Sequence, residues 1–183
     1  ARAKENPRSA VIAGQRTVVS IEPTGVTATV RCITVDAPHS LYLAGRQMVP
    51  THNTMFVLLC AAWFLMMYPT KRVIYISYND DLAGLGGQQV RTIIERYGPR
   101  LFDVRVSKVA SGKGDWQMED SPLSGMLSAG VGSTITGRGG DLIIVDDLIK
   151  NAEEAASIAT KAKHVREWDG TIRSRLEPGG TII

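Results

Sequence analysis

Two short segments with continuous apolar runs constrain the fold more than any other feature of the sequence. They are KRVIYISY, residues 71–78, and DLIIVDD, residues 141–147. Strands of this kind are buried on both faces, as in a parallel sheet, whereas a half-buried strand alternates apolar and polar residues. Helical patterns lie between and around them. The sequence therefore predicts an α/β fold whose sheet has parallel members.

Two helices are expected beside the first of these strands. Fourteen apolar residues, Met55 to Tyr68, predict a buried helix that ends before Pro69. A second helix is expected to begin at Asn79 or Asp80, either of which can cap it, and to stop at Gly98. Glycines in the middle of this second helix weaken the prediction there.

The rest of this part predicts a hairpin, a loop, a third helix and a last strand. Residues 116–120 and 125–131 are expected to pair as a hairpin, and a glycine-rich loop fills 132–140. Asn151 and Glu154 form a capping-box pattern that opens the helix. GGTII, at residues 179–183, begins the strand. The apolar positions expected on the helix are Ile158, Ala162, Val165, Trp168, Ile172 and Leu176.

The residues before the apolar helix follow a different pattern. Segments 16–22 and 26–35, and short stretches on either side of Gly45, are typical of β-strands between tight turns. The net charge of +3 belongs entirely to this part, because residues 1–53 hold six Lys and Arg against three Asp and Glu, whereas 54–183 hold fifteen of each. So small an excess does not indicate nucleic-acid binding. The change predicts an all-β unit followed by an α/β unit.

Cysteine content and hydropathy exclude several classes of protein. Cys32 and Cys60 are too few for a disulfide framework, and no Cys-x-x-Cys spacing offers a zinc site. A reducing intracellular compartment is therefore expected. The apolar run of 14 residues is shorter than the roughly 18–20 that a membrane span needs. No membrane association is expected.

Asp146 and Asp147 directly follow the second apolar strand. Open α/β sheets bind ligands at the carboxyl ends of their strands. In a P-loop nucleotide hydrolase, the first acid of such a pair holds Mg²⁺ and the second orients the attacking water. Most of these enzymes have glutamate in the second place, one methylene longer than Asp147. On this feature alone, two acids that cap a helix after a core strand are an equally open interpretation.

The phosphate-binding half of a nucleotide site is missing from the chain. It would require G-x-x-x-x-G-K-[ST], because backbone amides and one lysine surround the phosphates. SGKGD, residues 111–115, lacks the first glycine and the hydroxyl residue, and GVGSTITGRGG, residues 130–140, fails as well. Both are interpreted as loops.

Two motifs stand at the end of the all-β part. VRCITVDAPH, residues 30–39, is followed by MVPTHN, residues 48–53, and then by Thr54. In order and spacing they resemble the last two conserved blocks of an intein, in which His-Asn closes the intein and Cys, Ser or Thr begins the C-extein. The resemblance implies a partial Hint fold for residues 1–53 and autocatalytic cleavage between Asn53 and Thr54. We take the chain to be a fragment of a longer product.

The intein resemblance implies a role for each residue at the junction. The side-chain amide of Asn53 attacks its own carbonyl and cuts the chain, and His52 assists as acid or base. The hydroxyl of Thr54 accepts the acyl chain before an O-to-N shift restores a peptide bond. His39 matches the histidine that supports cyclisation. Splicing of this kind needs no cofactor.

Cys32 departs from the commonest pattern, which has aspartate at that position. Together with Thr51, it resembles the class of inteins that lack a nucleophile at their own first residue. In that class the internal cysteine attacks the upstream splice junction, and a thiol is a better nucleophile at neutral pH than a hydroxyl. A buried strand cysteine is the alternative for Cys32.

Residues 54–183 hold four further segments that match one family in order. They are WFLMMYPTKRVIYISYNDDLAG, IIERYGPRLF, GMLSAGVGSTITGRGGDLIIVDDLIKNAEEA and TIRSRLEPGGTII. They resemble the ATPase domain of a tailed-phage terminase large subunit, a P-loop NTPase with a parallel sheet. In that family the first helix starts with the Ser or Thr of the P-loop. The resemblance implies that the missing glycines and lysine lie on the N-extein and join Thr54 after splicing.

The terminase resemblance also implies a set of nucleotide-site residues. Asp146 and Thr54 would hold Mg²⁺ beside ATP, and Asp147 would take the place of the catalytic carboxylate. Arg138 resembles the arginine that some terminases offer to the neighbouring subunit's nucleotide. A solvent-facing loop arginine is the alternative for Arg138. The family's nuclease domain has no counterpart here.

The same resemblance implies partners and a place of action. The partners are double-stranded DNA, the terminase small subunit, the portal protein, further copies in a ring, and the missing N-terminal part of the intein and its extein. The place of action is the cytoplasm of an infected or lysogenic bacterial host. Two alternatives stay open: an intein in another P-loop ATPase such as a helicase, and an inactive prophage relic.

Overall fold

The structure covers the α/β part of the chain and short pieces of the segment before it. The computed structural model describes residues 42–44, 49–51, 53–119, 121–135 and 137–183. Three predicted splicing residues, Cys32, His39 and His52, lie outside these ranges, as do the strands predicted at 16–22 and 26–35.

Helices and strands alternate through most of the described chain. The longer helices are α1 Asn53–Met67, α2 Asp80–Leu101, α3 Ala152–Ala156 and α4 Ile158–Glu167. A π-helical turn, Trp168–Ile172, and a 3₁₀ turn, Arg173–Arg175, follow α4. The strands are β1 Tyr42–Ala44, β2 Val49–Thr51, β3 Arg72–Ser77, β4 Val106–Ser111, β5 Asp115–Met118, β6 Ser121–Gly130, β7 Gly140–Val145 and β8 Leu176–Ile182.

Six strands form one mixed sheet in the order β4-β5-β6-β3-β7-β8. Strands β6, β3, β7 and β8 run parallel to one another, whereas β5 pairs antiparallel with both β4 and β6. The α/β class with parallel members is therefore confirmed, and so is the hairpin of β5 and β6. Separately, β1 and β2 pair antiparallel with Tyr42 opposite Thr51, as the two short strands around Gly45 predicted.

The sheet buries a core on each face. Helices α1 and α2 cover one face, where their apolar residues pack against Val73, Tyr75, Leu142 and Ile144 of β3 and β7. On the other face, Ile135 of the glycine-rich loop and Ile172 of the π-helical turn cover Ile74, Ile76 and Ile143. β3 is buried at all six of its residues, as its continuous apolar run predicted.

Three details of the secondary structure differ from expectation. Helix α2 does not stop at Gly98 but continues through Pro99 to Leu101. The helix predicted from Asn151 is interrupted at Ser157, whose side chain caps a new helix by accepting from the N–H of Thr160. Strand β4 was not predicted at all.

The apolar positions of that last helix form no core stripe. Ile158 is 84% exposed and Val165 59% exposed, whereas Ile172 is buried in the π-helical turn. Helical spacing was therefore a wrong guide to burial at Ile158 and Val165, whereas Trp168, Ile172 and Leu176 do pack against the core, the last of them from β8.

Within the described part of the chain, no helix combines the length and the hydropathy needed to cross a membrane.

Candidate functional site

Asp146 and Asp147 lie at the carboxyl edge of the parallel sheet, as the sequence predicted. The N–H of Asp146 donates to the carbonyl of Ile76 at 2.9 Å, so the pairing of β7 with β3 extends one residue beyond the strand. At Asp147 the chain takes a positive φ of 46° and leaves the sheet. The left-handed region is one that Asp and Asn enter more readily than most residues. The two consecutive acids therefore lie in a sharp turn at the end of the strand.

A buried tyrosine holds the first carboxylate in place. The hydroxyl of Tyr75 donates to Oδ2 of Asp146 at 2.9 Å, and Tyr75 is 1% exposed. Burial, and then the charge of Asp146, raise the pKa of Tyr75 far above its usual range, so the phenol keeps its proton and stays a donor. Oδ1 of Asp146 accepts no hydrogen bond from any described residue. Asp146 thus keeps one oxygen for an external ligand.

Close packing of α2 on the sheet fixes this tyrosine. A Cβ on Gly86 would lie 2.7 Å from Cε1 of Tyr75, so only glycine lets the helix approach the ring this closely. At Gly87 the carbonyl accepts from Nε1 of the buried Trp116 at 3.1 Å. Two of the glycines that weakened the helix prediction, Gly86 and Gly87, are therefore close-contact positions.

Asp147 has a raised pKa. Partial desolvation and then the neighbouring charge of Asp146 raise the pKa of Asp147 above its ordinary value. Two carboxylates this close favour a bound cation, which would relieve their repulsion. Among the described residues, no group of three or more His, Cys, Asp or Glu side chains could hold a metal ion. A pair of carboxylates suits a Mg²⁺ ion that is shared with the phosphates of a substrate better than a metal site built from protein groups alone.

Helix α1 directs its amino end toward the same edge of the sheet. The turn to β3 is tight, because the N–H of Lys71 donates to the carbonyl of Tyr68. The 15 residues of α1 rise about 22 Å, roughly the length of β3. An antiparallel helix of that length on the sheet brings its first residues near the carboxyl ends of the strands. From this length and turn we infer that Thr54 lies near the edge that holds the two acids.

Asn53 lies at the start of α1 with its side chain folded against the peptide that it is predicted to cut. Its Oδ1 accepts from the N–H of Thr54 at 2.8 Å. Asn53 is exposed and Thr54 half-buried. In this arrangement the amide presents its oxygen, so cyclisation requires a rotation that brings Nδ2 to the carbonyl carbon. Thr51, the other predicted residue here, is the last residue of β2.

Arg138 lies away from the two acids of its own chain. It precedes Gly140, where β7 begins, whereas Asp146 follows the end of that strand. Its guanidinium is ion-paired with the carboxylate of Asp115. The site in this chain is therefore built without Arg138, and a role toward a neighbouring subunit's nucleotide stays a prediction.

Sequence reasoning missed two side chains at this edge, Tyr75 and Ser77. Ser77 is fully buried at the end of β3, and its hydroxyl has no hydrogen-bond partner in the described structure. Tyr75 and Ser77 are two positions apart in an apolar strand, so both side chains point to the face that the helices cover. This spacing of polar residues was the available signal for both.

No protein-family profile matches this chain, and no curated protein matches it either.

Proposed function

We propose that the chain is the C-terminal part of an intein joined at Thr54 to most of the ATPase domain of a phage terminase large subunit. The observation that carries the proposal is one edge of the sheet. There, two consecutive acids end a parallel strand, and the direction inferred for the helix that starts at Asn53 brings Thr54 toward the same edge. P-loop hydrolases need acids, a hydroxyl and a helix amino end together beside the phosphates.

In the spliced protein, the acids and the threonine would serve ATP and Mg²⁺. Asp146, oriented by Tyr75, would hold Mg²⁺ through its free oxygen, with the hydroxyl of Thr54 as a second ligand. The bound cation would neutralise charge on the phosphates. Asp147 would orient the attacking water, and its raised pKa suits a group that can accept a proton. The energy of hydrolysis would move double-stranded DNA. The partners would be those that the terminase resemblance implies: further copies in a ring, the portal protein and the terminase small subunit.

Splicing would come before that activity. The thiolate of Cys32 would attack the upstream junction, and the acyl chain would pass to the hydroxyl of Thr54. Nδ2 of Asn53 would then bond to its own carbonyl carbon, with His52 assisting and His39 in support. The bond to the nitrogen of Thr54 breaks, that nitrogen gains a proton, and a succinimide remains.

Cleavage at the junction tests the intein half of the proposal. Incubation of the purified chain should release a fragment that starts at Thr54. Mass spectrometry should detect this fragment and a second one, ending at residue 53, that carries a succinimide. Asn53→Ala should abolish this release, whereas the matched change Asn151→Ala, at a helix cap far along the chain, should not. Persistence of cleavage in Asn53→Ala would refute the assignment, and an intact chain in every case would favour the inactive relic.

Hydrolysis by the joined protein tests the ATPase half. Reading the coding DNA upstream of Ala1 should reveal an intein block with tryptophan and, beyond it, G-x-x-x-x-G-K. That segment joined directly to Thr54 should hydrolyse ATP, and Asp146→Asn should remove the activity. Asp103→Asn is the control, because Asp103 also has a positive φ but is exposed and does not belong to the candidate site. ATP-driven DNA unwinding without packaging would favour the helicase alternative.

A further inference from the structure

A cavity of about 450 Å³ opens at the amino edge of the sheet, opposite to Asp146 and Asp147. Its charged lining consists of Lys71, Arg72, Arg138, Asp141 and Glu177. Three positive side chains face two negative ones in this lining, and Asp115, which is ion-paired with Arg138, supplies a third negative charge beside it. The volume falls in the range of small-molecule sites. The proposed function makes no use of this cavity.

Arg72 is the unusual member of this lining. It is the first residue of β3 and only 7% exposed. Its backbone N–H donates to Oδ2 of Asp141 at 2.9 Å, but its guanidinium forms no hydrogen bond or ion pair within the described part of the chain. A buried charge without a direct partner is costly. An anion in the cavity would give this guanidinium a direct partner.

Two of the carboxylates near Arg72, those of Asp141 and Asp115, are ion-paired with other side chains. Nζ of Lys71 lies 2.7 Å from Oδ1 of Asp141, and Arg138 is paired with Asp115. Burial and then the charge of Arg138 lower the pKa of Arg72, and they outweigh the opposite effects of Asp115, Asp141 and Glu177. An anion in the cavity would reverse this imbalance.

We propose that this cavity binds a phosphate group, with the guanidinium of Arg72 as its main donor and Lys71 and Arg138 beside it. A guanidinium presents a planar fork of N–H donors that matches two phosphate oxygens. The loop of residues 137–139, which holds two glycines, lines the opening and brings backbone close to the ligand. A small phosphorylated molecule and a DNA backbone are the two sources of such a group.

Calorimetry with inorganic phosphate and pyrophosphate tests the site at constant ionic strength. The unchanged chain should bind pyrophosphate more tightly than phosphate, and Arg72→Met should weaken both by at least about tenfold. Arg105→Met is the control, because Arg105 is exposed and lies 3.8 Å from its partner Asp103. This variant should bind like the unchanged chain. Equal affinity of Arg72→Met and the unchanged chain, or no binding by the unchanged chain up to about 10 mM, overturns the proposal.

A second variant keeps the test decisive if Arg72→Met fails to fold. Arg72→Lys retains the charge but loses the fork, so it should bind pyrophosphate more weakly than the unchanged chain while unfolding at a similar temperature. Undiminished binding by a folded Arg72→Lys overturns the fork geometry. Competition with a short DNA duplex separates the sources: displacement of pyrophosphate assigns a backbone phosphate, and no displacement assigns a small molecule.

Discussion

At the scale of single residues, the link between Tyr75 and Asp146 is the most informative contact of the candidate site. The position of Asp146 was predictable, because an acid after a buried apolar strand falls at the carboxyl edge of a parallel sheet. Its contact with the tyrosine was not, because one sequence does not reveal that the two strands are neighbours in the sheet. Arg72 was missed for a different reason: an arginine at the start of a strand normally reaches solvent.

Tyr75→Phe should lower the free energy of unfolding by about 1 kcal/mol, because Asp146 loses a buried donor while the ring still fills its space. Urea unfolding followed by circular dichroism measures this difference. Tyr78→Phe is the matched control, since the half-buried Tyr78 has no side-chain hydrogen bond within the described structure. Equal losses in the two variants would contradict the role given to the hydroxyl of Tyr75.

Asp147→Asn should raise the free energy of unfolding at neutral pH and lose this advantage in acid. Folding raises the pKa of Asp147, so the folded chain binds that proton more tightly than the unfolded chain. Ionisation of Asp147 therefore costs stability above the raised pKa. The cost disappears as the pH falls below the ordinary aspartate pKa of about 3.9. Asparagine also accepts the positive φ.

Unfolding curves at a series of pH values measure the effect of Asp147→Asn. Asp103→Asn is the control, because Asp103 has a positive φ of 53° but is exposed and lies beside Arg105 rather than another acid. It should bring no gain at neutral pH. Parallel pH curves for the two variants would contradict the shared charge at Asp146 and Asp147.

At the scale of elements, the contact of α2 with the sheet depends on its glycines. Gly86→Ala should destabilise the chain by about 1–3 kcal/mol, because the new methyl group meets the ring of Tyr75 at 2.7 Å. Gly84→Ala is the matched control in the same helix. Its nearest neighbour would be the flexible side chain of Lys113 at 3.5 Å, so helix propensity should dominate, with a gain of up to about 1 kcal/mol. Thermal unfolding of both variants gives the comparison, and an opposite order would contradict it.

The accuracy of the predicted elements follows from how local their signals are. β3 and β7 were found because their apolar runs are continuous, and α1 because Pro69 marks its end. The break at Ser157 was missed, since one serine cap competes with a helical pattern that spans the gap. β4 was missed because its sequence, VSKVAS, is polar at half of its positions and its pairing with β5 is irregular.

At the scale of the whole molecule, the order of the strands was beyond prediction from one sequence. β3 lies between β6 and β7, whose first residues come 44 and 63 residues after the last residue of β3. Such non-local pairing leaves no mark within a short window. The parallel class was nevertheless predictable, because burial on both faces affects every residue of a strand.

The chain by itself should not hydrolyse ATP in the presence of Mg²⁺. No G-x-x-x-x-G-K occurs in its 183 residues, so the two acids would have no lysine or amide cradle to hold the phosphates. Release of inorganic phosphate over several hours measures this. Turnover that disappears in Asp146→Asn would mean that the chain contains a different phosphate-binding loop.

The hydrogen bond between Trp116 and Gly87 has a practical consequence. Trp116 is fully buried, whereas Trp63 and Trp168 are half-buried. Its indole therefore fluoresces from an apolar environment, and loss of its contact with α2 would shift that emission to longer wavelength. The chain thus carries an intrinsic optical reporter of the helix–sheet contact that also fixes Tyr75.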